Sequence, residues 1–199
     1  MKIFYIMGKS STGKDTIYKE LMSDSELNLT RIVPYTTRPI RTNEKNGVDY
    51  NFVTNEEFYK MKSEGKIIES RSYNTENGIW TYFTPIMELD DRNYISIGTL
   101  ESYNLMKKEY GEQLVPIYIE LDDGVRLQRA LNRELSQKMP NYAEMCRRYL
   151  ADAQDFSNEK LLNCNINKHF VNDNLQRCTN EIKSYIKENL TWGYGQYSH

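Results

Sequence analysis

The chain has little of what marks a disulfide-stapled, membrane-bound or nucleic-acid-coating protein. Only three cysteines occur in 199 residues, Cys146, Cys164 and Cys178. They are odd in number and widely separated, so they supply neither a disulfide framework nor a zinc spacing, and reduced cytoplasmic thiols are expected. The longest apolar stretches, such as Ile3 to Met7 and Val115 to Ile119, fall far short of the roughly 20 residues that cross a bilayer. Met1-Lys2 runs within a few residues to Gly8, which leaves no room for an export signal, so neither export nor a membrane anchor is expected. A basic surplus is missing too. Lys plus Arg number 26 against 28 Asp plus Glu, a formal net charge of -2, whereas a non-specific nucleic-acid binder is clearly positive. Internal repeats are absent. With 39% apolar and 27% charged residues, a wholly disordered chain is excluded, and the length suits one large core with small insertions.

What is present is an alternation of short apolar runs with longer amphipathic stretches, which predicts an α/β fold. Strands are expected at Lys2 to Met7, Tyr94 to Gly98, Leu114 to Leu121 and Lys168 to Val171. Helices are expected at Lys14 to Met22, Leu100 to Tyr110, Val125 to Glu134, Ala143 to Leu162 and Leu175 to Asn189. Four strand-then-helix units predict a parallel sheet flanked by crossover helices. Residues 31–85 break the rhythm with short alternating runs such as Val48 to Val53, and read as a small, mostly β insertion. Core segments 1–30 and 86–190 then enclose it, with a break near Ser136 to Asn141 and an expected disordered tail over residues 191–199.

Directly after the first strand stands Gly8-Lys9-Ser10-Ser11-Thr12-Gly13-Lys14-Asp15-Thr16. This is the phosphate-loop spacing in its strand–loop–helix setting. The glycines let main-chain amides turn toward phosphate oxygens, the helix N-terminus adds partial positive charge, and Lys14 reaches the outer phosphates. Where the motif normally has Ser or Thr to reach Mg2+, this chain has Asp15. Two readings follow: Asp15 holds the metal directly or through water, or Thr16 supplies the hydroxyl.

The insertion carries Thr36-Thr37-Arg38-Pro39-Ile40-Arg41, continuing through Glu44 and Gly47 to Asp49-Tyr50-Asn51-Phe52. Two arginines three apart with a following tyrosine can clamp a phosphate. At this point the string resembles the guanylate kinase family, whose T-T-R-x-x-R-x-x-E-x-x-G-x-D-Y-x-F signature it matches. Lys66 to Glu69 is similar to the stretch ending in a base-reading glutamate, Tyr82 to Pro85 to Y-G-T-P, and Val171-Asn172-Asp173 to V-N-D. The resemblance extends over nearly the whole chain. It implies a P-loop nucleotide kinase core with a GMP-binding insertion and a short lid at about residues 133–148, transferring phosphoryl from ATP to GMP with Mg2+. Carried over by position, Gly8 to Thr16 with Asn172 and Asp173 serve ATP. Arg38, Arg41, Glu44, Tyr50, Glu69, Tyr82 and Thr84 serve GMP, and Lys14, Arg38, Arg133 and Arg148 are implied to be catalytic. Arg129 and Arg147 are near alternatives in the lid.

The pattern departs from the family at Pro34, which stands for a serine, at Phe83, which replaces a glycine, and at Ser96-Ile97-Gly98, which replaces D-x-D. Two other readings therefore stand beside the first. One is a related P-loop kinase acting on ribose bisphosphate, favoured by Gly13-Lys14-Asp15. The other is a non-catalytic guanylate kinase-like binding module, opposed by the retained Lys14. Small nucleotides are the expected partners, and oligomeric state is not legible.

Overall fold

Strand β1 (Ile3–Met7) is buried along its whole length, as a strand must be when neighbours and helices cover it on every side. It lies at the centre of a five-stranded sheet of order β2-β7-β1-β8-β9, with β2 at Leu29–Arg31, β7 at Asn93–Ile97, β8 at Leu114–Glu120 and β9 at His169–Val171. Every pairing is parallel, with Ile3 beside Tyr94 on one flank and Leu114 on the other. The computed structural model describes residues 1–75 and 78–191. Of the tail expected over residues 191–199, residues 192–199 lie outside them.

The period of two along a strand divides the core between two faces. Phe4 and Ile6 pack with Ile17 and Leu21 of α1 (Lys14–Ser23) and with Cys178, Ile182 and Ile186 of α7 (Leu175–Thr191). On the opposite face Ile3, Tyr5 and Met7 meet Leu100, Tyr103 and Met106 of α3 (Leu100–Tyr110). One strand escaped the sequence pattern. The three-residue β2 is too short and too polar to register, and it brings Arg31, expected in the insertion, to the edge of the core sheet.

The insertion forms its own sheet, of order β4-β3-β6-β5, from β3 (Tyr35–Thr36), β4 (Asn51–Phe52), β5 (Ile67–Thr75) and β6 (Gly78–Pro85). It also contains a nine-residue helix, α2 (Asn55–Ser63), which the expectation of a mostly β segment had not included. Thr54 and Glu57 close a reciprocal capping box at its start, and Phe58 packs on Phe83 at 5.0 Å between ring centres.

Beyond β8, α4 (Asp123–Leu135) and α5 (Tyr142–Asp155) are capped by Asp122 and Asn141 and joined through residues 136–141. The single helix expected over Ala143 to Leu162 is two. Phe156 leaves helical geometry to stack against Tyr118, and the Ser157 side chain caps α6 (Asn158–Asn163). Among the described residues no helix is long and apolar enough to cross a membrane.

Candidate active site

The phosphate loop joins the C-terminal end of β1 to the N-terminus of α1. Gly13 sits at the helix N-cap with φ 88°, a left-handed conformation that glycine adopts without penalty. Space makes the same demand. A Cβ on Gly13 would stand 2.4 Å from Asn172 Nδ2, and one on Gly8 would stand 2.4 Å from the carbonyl oxygen of Ile119.

The loop is stitched from several directions. Thr12 donates its hydroxyl to the Lys9 carbonyl at 2.9 Å, and buried Asn172 donates to the Thr12 carbonyl at 2.7 Å. Arg126, only 1% exposed, donates to the Ser10 carbonyl at 2.9 Å and pairs with Asp123 and Asp152. Asp152 in turn accepts the Ser10 amide at 2.7 Å. The Tyr149 ring closes the stack, 4.6 Å from the Arg126 guanidinium. Burial works to raise the Asp123 carboxyl, but its bonds to Arg126 and Lys9 prevail and hold it below its ordinary value. Lys14 is half-buried and forms no ion pair among the described residues, so its ammonium is uncommitted.

Asp15 and Thr16 are exposed on the first turn of α1. No group of three or more potential metal ligands forms among the described residues. One hard carboxylate at the loop nevertheless fits Mg2+, which keeps several waters and takes its remaining ligands from phosphates. The strand end facing the loop offers Ser96 and Gly98 in place of carboxylates.

Helices α4 and α5 bring arginines to the loop. Arg133 Nη2 lies 3.4 Å from Ser11 Oγ, and Arg129 Nη1 lies 4.0 Å from where a Gly13 Cβ would stand. Arg147 and Arg148 both pair with Glu144 at 2.7 Å, which holds that carboxyl down to about 2. Arg148 differs from Arg147 in position. It lines both the hollow of about 290 Å³ against Ser10 and Ser11 and a neighbouring cavity of about 600 Å³.

That larger cavity is walled by the insertion sheet. Alternate residues of β5 (Glu69, Arg71, Tyr73) pair across the ladder with Thr84, Tyr82 and Trp80 of β6, and all six line it. At one end Arg38, 3% exposed, donates from Nε to the Tyr82 hydroxyl at 3.1 Å. Its fork grips Glu44 at 2.7 and 3.0 Å, and its guanidinium lies 5.6 Å from the Tyr50 ring centre. The Arg38 bonds pull the Glu44 carboxyl below its ordinary value, while burial holds the Tyr50 hydroxyl above its own. At the other end Glu69, 7% exposed, accepts the Thr84 hydroxyl at 2.9 Å and stands 3.4 Å from Arg71 Nε.

The family profile of guanylate kinase matches residues 1–189. The chain belongs to the guanylate kinase family. A guanylate kinase of Malacoplasma penetrans is 35% identical over 133 residues, 67% of this chain and 58% of that protein's length. One from Porphyromonas gingivalis is 25% identical over 189 residues, 94% of this chain and 97% of that one. The crystal structure of guanylate kinase from Anaplasma phagocytophilum superposes with a TM-score of 0.64 at 20% identity, covering 94% of this chain and 86% of its own, and so shares the fold.

Within this member of the family the expected residues separate into groups. Tyr50, Tyr82, Glu69 and Thr84 line the cavity, and Arg38 stands behind its wall, bonded to the Tyr82 hydroxyl. Arg41 is exposed, and Glu44 orients Arg38 rather than facing the cavity. Asn172 supports the phosphate loop from beneath, whereas Asp173 lies on the surface and pairs with Arg177. Sequence reasoning missed Arg126 and Asp152, whose meeting depends on how α4 crosses α5, and it missed Tyr5. A Cβ on Gly98 would stand 2.0 Å from the Tyr5 hydroxyl, so the tyrosine fills the room beside Gly98. Burial pushes that hydroxyl well above its ordinary range, against the effect of its bond to Ser102.

Proposed function

We propose that this chain transfers the γ-phosphoryl group of ATP to GMP, yielding ADP and GDP. The observation that carries the reading is the division of one cavity into two chemistries. Two phenols stand at one end, one of them bonded to the Arg38 guanidinium behind it, and a buried carboxylate with a hydroxyl stands at the other. The cationic end suits a monophosphate. Glu69 accepts from the N1–H and N2 amino groups of guanine, and a base without those donors leaves the carboxylate buried and unpaired.

Phosphoryl transfer requires positioning and charge stabilisation more than covalent chemistry. Loop amides and Lys14 hold the donor phosphates, Arg38 with Tyr50 and Tyr82 holds the acceptor phosphate, and Arg133 and Arg148 carry positive charge to the junction. Arg41 joins the acceptor phosphate from its exposed position when that phosphate arrives. Asp15 and Thr16 would hold Mg2+, which offsets charge on the donor phosphates when bound. Asn172 and Asp173 bound the donor side. Closure of the protein around both substrates excludes water, which otherwise competes as acceptor. The reading includes a cytoplasmic location and small nucleotides as the only ligands.

The test is a coupled ADP-release assay offering GMP, AMP, dTMP and ribose bisphosphate in turn. GMP alone should support turnover, and Lys14→Met should reduce it at least 1000-fold while thermal unfolding is unchanged. Turnover with ribose bisphosphate and none with GMP would assign the second kinase reading instead.

A further inference from the structure

Arg71 is absent from the family signature, yet it occupies the base end of the cavity. It follows Glu69 by two positions on β5, so both side chains leave the same face of the strand. Its Nε stands 3.4 Å from Glu69 Oε2 and is buried without an aligned hydrogen-bond partner. Its Nη1 reaches toward Thr99 Oγ1 at 3.5 Å, which is a weak hold. Across the carboxylate, Glu69 Oε1 accepts the Thr84 hydroxyl.

The base end therefore presents three groups in a row: a guanidinium that only donates, a carboxylate that only accepts, and a hydroxyl whose proton is committed to that carboxylate, so that toward a ligand it accepts. A ligand edge that satisfies this row offers an acceptor followed by two donors. Guanine has that order in O6, N1–H and the N2 amino group. Adenine offers a donor in place of O6, and thymine and uracil offer an acceptor in place of the amino group. Pro34, which also lines the cavity, has no side-chain donor with which to meet O6. We propose that Arg71 is a specificity-determining residue that donates to O6 of the acceptor guanine, swinging from its weak hold on Thr99 to do so. The inference rests on GMP being the acceptor.

The test compares GMP, 6-thio-GMP and IMP as acceptors for the full chain and for Arg71→Gln and Arg71→Lys. The sulfur of 6-thio-GMP is a poor acceptor at the O6 position, while IMP keeps O6 and lacks the N2 amino group. Arg71→Gln should lower kcat/KM for GMP about 10- to 100-fold, chiefly through KM, and lower that for 6-thio-GMP less than about threefold. The preference for GMP over IMP, which reports on Glu69, should survive, and KM for ATP should hold steady as the check on folding. Arg71→Lys should fall between, and it carries the same comparison if the glutamine variant does not fold. Equal losses on GMP and 6-thio-GMP, or no loss on either, overturn the role of Arg71 alone. Failure of the unsubstituted protein to phosphorylate GMP overturns the acceptor assignment and this inference together.

Discussion

Replacing Arg126 with Met keeps most of the aliphatic stem and removes only the guanidinium. That group donates to the Ser10 carbonyl, pairs with Asp123 and Asp152, and lies over Tyr149. A hydrogen bond to a charged group is worth about 1.5–3 kcal/mol, and a shielded cation over a ring about 2. Asp123 is 52% exposed and rehydrates when its partner leaves, whereas Asp152 at 16% exposure does so less well. Allowing for that relief and for non-additivity, the loss should be about 3 kcal/mol. With an m-value of about 2 kcal/mol/M, the urea midpoint should fall by about 1.5 M.

The functional consequence of the same change is selective. Asp152, no longer held by Arg126, releases the Ser10 amide, and the loop loses its set shape on one side only. KM for ATP should rise about tenfold, while KM for GMP changes less than about twofold. Arg126→Lys keeps the charge without the fork and should fall between the two. A midpoint shift under 0.3 M, or equal rises in both KM values, would falsify the view of Arg126 as the buttress of the phosphate loop.

Two further perturbations probe other contacts. Gly98→Ala should destabilise by about 1–3 kcal/mol through overpacking, because its Cβ would meet the Tyr5 hydroxyl at 2.0 Å. Adding Tyr5→Phe, which removes that oxygen, should restore most of the loss in thermal unfolding, and no restoration would place the clash elsewhere. Glu144, held down to about 2 by Arg147 and Arg148, favours the folded state above its ordinary value of 4.5 and loses that preference as pH falls toward 2. Its carboxyl carbon should titrate near 2 by NMR and return toward 4.5 in the Arg147→Ala, Arg148→Ala double variant. A midpoint already near 4.5 in the unsubstituted protein would contradict the pairing.

The strand–loop–helix frame of the phosphate loop was legible because it is local: a strand, two glycines and a lysine at fixed spacing specify it without reference to distant residues. Strand β5 was legible only in part. Glu69 stood out by resemblance, whereas Arg71 carried no signal until the ladder brought it beside Glu69 and Tyr82. Helix α2 was missed although Thr54 and Glu57 carried its capping box in the sequence, since the alternating run before it set the expectation for the whole segment. Arg126 with Asp152 and Tyr5 with Gly98 were not legible at all. Their partners lie 26 and 93 positions away, and only the crossing of helices or the stacking of sheet and turn decides which groups meet.

Strand β1 leaves the ribosome well before both strands that flank it, with Ile3 matched to Tyr94 and Leu114. At about 5–20 residues per second, its five apolar residues wait roughly 6–22 s for the second flank. The interval is long enough for a nascent chain to meet chaperones or its own neighbours on a polysome. The yield of active enzyme should therefore depend on translation speed between residues 30 and 114, the stretch that keeps the central strand without its partners.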